Sequence, residues 1–327
     1  MAIKLLIEAV RETMLSLMEQ DERVIVLGED VGKLGGVLRT TDGLWKRFGD
    51  SRVIDSPLAE SSIVGAAVGA SMNGLLPIAE IQFSDFIFPA FNAIVSEAAR
   101  IRYRSNNDWA CPIVIRAPYG GGIHGALYHS QSPEAFFAHV PGLKVVATAS
   151  PKDLKGLLRS ALYDPDPVLI FEHKKAYRLI KEEVPDDDYT IPLGKAEVKR
   201  AGDSLSIITY GLMTYHALAA AEKLAQDEIN VEVLDLRSLR PLDVEAILAT
   251  AQKTGRVLVV HEDNLTGGIG GEVSALIAQY AFSYLDAPIM RLAGPDVPAM
   301  GFNHVFEEEF LVSPERIERA ARKLAEY

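Results

Sequence analysis

Short apolar runs alternate with helix-length amphipathic stretches along most of the chain. Leu5 to Met18 carries apolar residues at helical spacing and leads into Val24 to Leu27, which Gly28-Glu29-Asp30 closes. Similar runs at Ile78 to Phe83, Pro112 to Ala117, Leu143 to Thr148 and Val168 to Glu172 predict buried strands, and helices are predicted at Ser61 to Met72, Phe91 to Tyr103 and Pro151 to Leu162. Apolar strands separated by helix-length segments predict a mainly parallel sheet covered on both faces.

A second series follows a polar break. Glu182 to Pro192 holds Pro185, the acidic run Asp186 to Asp188 and Pro192, a composition suited to a surface connection. Beyond it, strands are expected at Leu205 to Tyr210, Val231 to Leu236, Arg256 to His261 and Pro288 to Leu292. Helices are expected at Thr214 to Leu224, Leu242 to Ala251, Gly271 to Gln279 and Pro314 to Ala325, the last opening on a proline. The chain therefore divides into two α/β domains, 1–185 and 193–327, joined by a linker at 186–192.

Composition narrows the function. The 327 residues are 48% hydrophobic, enough for two cores, and a formal charge of -12 repels a phosphate backbone, so neither nucleic acid nor an anionic membrane is the expected partner. Cys111 is the only cysteine, which excludes an internal disulfide. Met1 to Glu12 reads as an internal amphipathic helix rather than a leader, no run approaches the roughly 20 apolar residues of a membrane span, and a cytoplasmic location is expected.

The glycine-rich turns Val31 to Gly36 and Gly267 to Gly271 lack the ordered dinucleotide fingerprint and the Lys-Ser/Thr of a phosphate loop, so tight packing is the expectation at both. Nowhere does the chain carry a Gly-Asp-Gly followed by Asn. Chemistry concentrates in two places. Pro57-Leu58-Ala59-Glu60 precedes a helix with Gly65 and Gly69 on one face. Glu60 there is either an acidic first-turn residue or a buried carboxylate able to share a proton with a heteroaromatic nitrogen. Gly120-Gly121-Gly122-Ile123-His124-Gly125-Ala126-Leu127-Tyr128-His129-Ser130-Gln131 follows a strand, where parallel folds commonly place ligands. Its histidines suit proton transfer, and their spacing is poor for a metal pair. Aromatic residues at Phe83, Phe86, Phe88 and Phe91 suit a core or a flat wall for a ring, and Arg100, Arg102 and Arg104 form a basic cluster around Tyr103.

Taken together, Gly28-Glu29-Asp30-Val31-Gly32, Pro57-Leu58-Ala59-Glu60, Gly120-Gly121-Gly122, Gly125 to Phe137 and Asp235-Leu236-Arg237 with Pro241 resemble the beta chains of 2-oxo acid dehydrogenase decarboxylase components over nearly the whole sequence. The stretch Tyr128 to Phe137 is similar to the branched-chain type, with pyruvate and acetoin beta chains as close relatives. The resemblance implies a thiamine diphosphate-binding fold of the pyrimidine-binding type followed by a transketolase C-terminal-like α/β domain. It implies two alpha and two beta chains, with magnesium and the diphosphate held mainly by alpha, and a lipoyl-bearing dihydrolipoyl transacylase as acyl acceptor.

The resemblance also implies roles. Glu60 matches the carboxylate that hydrogen-bonds the pyrimidine, Phe86 an aromatic packing near that ring, and His129 a histidine assisting reductive acyl transfer to the lipoyl group. It further suggests a potassium set made of the Ile113, Ala161 and Leu162 carbonyls with Asp164 and Asp166, for which ordinary turn capping is the competing account. A pyruvate or acetoin beta chain, a transketolase-like enzyme acting alone and a noncatalytic assembly subunit are the alternatives.

Overall fold

Each apolar run becomes a strand because a sheet covered on both faces demands continuous apolar sequence. The computed structural model describes residues 2–327. Among them β1 (Ala2–Leu5), β2 (Val24–Gly28), β3 (Val53–Asp55), β4 (Leu76–Glu80), β5 (Val114–Tyr119), β6 (Lys144–Thr148), β7 (Val168–His173) and β8 (Lys181–Val184) lie in a first unit, Met1–Tyr119 with Phe136–Leu193. Within that unit the strand order is β6-β7-β5-β4-β2-β3, every neighbouring pair parallel. The fold is thus the expected parallel α/β arrangement.

Local chemistry sets the helix ends. The Ser150 side chain accepts the Asp153 amide and Pro151 takes the first position of the helix Pro151–Leu162. The amino terminus departs from expectation: Ala2–Leu5 is a strand, paired antiparallel with Lys181–Val184, and the helix begins only at Leu6, where Glu8 accepts the Leu5 amide at 2.8 Å. The expected helix Phe91 to Tyr103 is a succession of a π turn (Ala93–Glu97), a 3-10 turn (Ala98–Arg100) and an α-helical turn (Ile101–Arg104). The polar connection is anchored, since Lys155 Nζ donates to the carbonyls of Pro185, Asp186 and Asp187 at 2.6, 3.2 and 2.9 Å, and Arg159 pairs with Asp188.

The second unit comprises Gly120–Ala135 and Gly194–Tyr327. The glycine-rich segment after β5 therefore groups with the second α/β body, whereas the sequence suggested an uninterrupted first domain. Its sheet is built from β9 (Glu197–Arg200), β10 (Leu205–Thr209), β11 (Val231–Asp235), β13 (Val257–Asn264) and β14 (Met290–Gly294), with a short β12 (Ser238–Arg240) between β11 and β13 in sequence. The order is β14-β13-β10-β11-β9, parallel except for β9 at the edge. Helices Leu212–Ala225, Val244–Thr254, Ile269–Tyr280 and Pro314–Ala325 accompany it, the last capped by Ser313 accepting the Arg316 amide.

Both glycine-rich turns are packing devices. The Gly32 amide donates to Asp55 Oδ1 at 2.6 Å, leaving no room for a side chain, and a methyl on Gly268 or Gly270 would strike the His261 ring. No helix among the described residues is long and apolar enough to cross a membrane.

Candidate active site

In the first unit, two acidic side chains face one another's charge where the chain leaves β2 and enters the helix Glu60–Met72. Ala59 is non-helical, and Glu60 occupies the first helical position with 7% of its surface exposed. Glu29, just past β2, is 8% exposed and its Oε1 has no hydrogen-bond partner. Burial raises the Glu29 pKa, the charge of Glu60 raises it further, and a hydrogen bond from the Ala59 backbone opposes both. One carboxylate thus sits at a helix start, and its neighbour holds a proton more readily than usual.

Phe86 closes the turn Ser84–Phe86, half-buried, its ring edge-on to Phe83 with centroids 5.9 Å apart and planes at 85°. The same turn contains Asp85, whose carboxylate is 3.3 Å from Lys174 Nζ; that ammonium lies 5.5 Å from the Phe83 ring centroid. Under these loops lies a charge network that sequence reasoning missed. Arg116, fully buried on β5, reaches Glu80 Oε2 on β4 at 2.6 Å and Glu172 Oε2 on β7 at 2.6 Å. Thr40 Oγ1 donates to Glu80 at 2.8 Å, and the Tyr177 hydroxyl donates to Glu172. Burial opposes the charge on Arg116, but the Glu172 and Glu80 carboxylates outweigh it and raise its pKa well above the ordinary value.

In the second unit, His129 is half-buried immediately after the turn Ala126–Tyr128. The segment closes on itself through the Gly120 amide and the Gln131 carbonyl, 2.9 Å apart. Carboxylates receive its backbone: Gly121 donates to Glu262 at 2.6 Å, and Gly122 and His124 each donate to Glu307 at 3.0 Å. The His124 ring also contacts Glu307, with Nδ1 and Oε2 2.7 Å apart. Glu134, at the end of the segment, is wholly buried and accepts the Tyr210 hydroxyl at 2.8 Å. Burial, then the charges of Asp263 and Glu262, hold its pKa well above the carboxylate range. Burial likewise pushes Asp263 up to about 7, with Glu262 adding to it, and His261 down to about 4.

The family described as "Transketolase, pyrimidine binding domain" matches residues 5–180, and "Transketolase, C-terminal domain" matches 194–317. The 2-oxoisovalerate dehydrogenase subunit beta of Bacillus subtilis (strain 168) is 59% identical over 327 residues, covering 100% of both chains. The chain belongs to the beta-subunit family of the 2-oxo acid dehydrogenases. Another member, the pyruvate dehydrogenase E1 component subunit beta of the same organism, is 46% identical over 100% of both chains. A solved structure titled "Split gene transketolase, inactive beta4 tetramer" superposes with a TM-score of 0.80 over 98% of each chain at 24% identity, a likeness of fold.

The beta-subunit residues suggested for potassium do not present an open oxygen cage. Lys144 Nζ lies 2.7 and 2.5 Å from the two Asp164 oxygens, and Asp164 Oδ1 also accepts the Asp166 amide at 3.0 Å. Asp166 pairs with Arg102 at 3.0 Å and stands 3.7 Å from Lys144. The Ile113 carbonyl accepts the Val168 amide at 3.0 Å and the Ala161 carbonyl the Asp164 amide at 3.3 Å, while Leu162 ends its helix. With both carboxylates already neutralised by side-chain cations, the arrangement does not fit a bound metal. No cluster of three or more His, Cys, Asp or Glu able to hold a metal occurs among the described residues.

Proposed function

We propose that this chain is the beta subunit of a thiamine diphosphate-dependent branched-chain 2-oxo acid dehydrogenase that decarboxylates 3-methyl-2-oxobutanoate and reductively acylates the lipoyl group of a transacylase. The observation carrying this reading is the 59% identity, over the full length of both chains, to the 2-oxoisovalerate dehydrogenase subunit beta. The donor set fits a pyrimidine ring: Glu60 is buried at a helix start, Glu29 beside it keeps an unpartnered buried oxygen, and Phe86 offers a ring in the same unit. When bound, thiamine diphosphate supplies an electron sink for loss of carbon dioxide.

The chain's own residues have separable tasks. Glu60 shares a proton with a pyrimidine nitrogen, and Glu29 lies within electrostatic reach of that exchange. Phe86 packs the ring in place. His129 manages the proton that accompanies transfer of the acyl group to the lipoyl sulfur. The sequence lacks a diphosphate and magnesium motif, so those groups fall to an alpha subunit in an α2β2 assembly. In support, the helix Glu60–Met72 is apolar nearly all round, yet a methyl added at Gly65 or Gly69 would meet nothing within 4 Å in this chain.

The test is to coexpress the chain with its alpha subunit and measure thiamine-dependent carbon dioxide release from a panel of 2-oxo acids. The branched substrate should exceed pyruvate in kcat/KM by about tenfold or more. A preference for pyruvate would move the chain to the pyruvate type, and a verified heteromer with magnesium that turns over none of them would end the enzyme reading.

A further inference from the structure

The segment that carries His129 adopts a backbone that its own sequence does not favour. Positive φ values alternate along it, at Gly120 (84°), Gly122 (80°), His124 (57°) and Ala126 (54°), and two of these residues carry side chains that disfavour the left-handed region. Such alternation turns successive amides toward one side and makes a concavity suited to an anion. The anion here is a side chain. Glu307 is 3% exposed; its Oε1 accepts the Gly122 and His124 amides at 3.0 Å each, and its Oε2 lies 2.7 Å from His124 Nδ1. Glu262 takes the preceding amide, Gly121, at 2.6 Å.

We infer that Glu307, with Glu262 beside it, is a positioning residue for acyl transfer: it clamps the strained Gly120 to Ala126 turn and so fixes where His129 stands. This rests on the role proposed for His129. The two carboxylates lie 185 and 141 residues further along the chain, so the register of the His129 segment is set by the second unit's framework rather than by its neighbours in sequence. Charge-assisted amide bonds are the strong kind, and the Gly120 to Gln131 bond at the base of the turn and the Gln131 to Leu127 carbonyl bond at 3.2 Å add to them. Without the clamp, His124 and Ala126 return to ordinary φ values, and the displacement is carried down the chain to His129. A shift of about 1 Å in a group acting on a reaction can cost about 100-fold in rate. Glu60 belongs to the other unit.

The experiment compares Glu307→Ala, Glu307→Gln and His129→Ala in the assembled heteromer, reading two half-reactions: decarboxylation with an artificial electron acceptor and acyl transfer to a free lipoyl domain. Glu307→Ala should lower acyl transfer by about 10- to 100-fold and leave decarboxylation within a few-fold of wild type. Glu307→Gln keeps an oxygen for both amides and should restore acyl transfer. Hydrogen exchange at the Gly122 and His124 amides should accelerate in Glu307→Ala and remain slow in Glu307→Gln. Loss of acyl transfer in His129→Ala but not in Glu307→Ala overturns the clamp, as does an equal fall in both half-reactions. Should His129→Ala itself transfer acyl groups normally, the His129 role fails and the clamp stands or falls on amide exchange alone. If Glu307→Ala does not fold, Glu307→Asp, which withdraws the carboxylate by one methylene, takes its place, and unchanged exchange there rejects the inference.

Discussion

Replacing Arg116 with Met removes the cation from a site that solvent does not reach. Arg116 is fully buried, while Glu80 is 2% and Glu172 0% exposed. Three short bonds vanish with it, Nε to Glu172 Oε1 at 2.7 Å and two of 2.6 Å to Glu80 and Glu172 Oε2. What remains is one hydroxyl donor apiece, Thr40 for Glu80 and Tyr177 for Glu172. Breaking a buried ion pair by removing one partner costs about 3–5 kcal/mol. Because two carboxylates are stranded here, the upper part of that range, about 4–5 kcal/mol, is expected. At about 2–4 °C per kcal/mol for a unit of this size, Tm should fall by about 8–20 °C. The stranded carboxylates can stay buried only by taking up protons, so the loss should deepen at pH 8 and be partly relieved at pH 5. Scanning calorimetry of the full chain reads both effects. Adding Glu80→Gln and Glu172→Gln to Arg116→Met should recover more than half of the loss, since the neutral amides no longer need a cation. A single variant within about 1 kcal/mol of wild type, or a triple variant no better than the single, refutes the reasoning.

Other perturbations probe separate parts of the molecule. Asp263 has its pKa raised to about 7, so its burial favours the protonated form and costs stability progressively as pH rises from the ordinary carboxylate range toward 7. Asp263→Asn should therefore raise the second unit's Tm at pH 8 and give no gain at pH 4; an equal gain at both would contradict the assignment. Burial lowers His261 to about 4, an effect of opposite sign that costs stability as pH falls below about 6.5, so His261→Gln should gain stability at pH 5 relative to pH 8. Phe86→Ala should weaken thiamine diphosphate binding to the heteromer by about 3- to 10-fold, the worth of one aromatic contact, as read by cofactor titration; unchanged affinity would remove Phe86 from the ring site.

Strands such as Val168–His173 and Val114–Tyr119 were legible in the sequence because two-sided burial writes itself as an apolar run, and the Pro151–Leu162 and Pro314–Ala325 helices because Ser-Pro starts are local signals. The pairing of Ala2–Leu5 with Lys181–Val184 was not, since two four-residue segments far apart in sequence carry no periodicity that links them. Arg116, Glu80 and Glu172 each look like a single interruption of an apolar run. Their signal lies in charge alternating between adjacent strands, Glu80 standing in register with Arg116, which becomes readable only once strand order is known. The allegiance of Gly120 to Ala135 to the second unit depends on Glu262 and Glu307, partners that local pattern cannot supply. Glu60 was picked out by residue type, but its first-turn position allows two accounts, and its chemistry was legible only through the family resemblance.

The claim that Glu60 activates the cofactor is tested most directly by proton exchange at C2 of thiamine diphosphate in the heteromer, measured by quench-flow with NMR detection. With cofactor binding verified, Glu60→Gln should slow that exchange by about 100-fold or more, the range of a lost general acid-base group. Exchange at the wild-type rate in the cofactor-loaded variant would contradict the account.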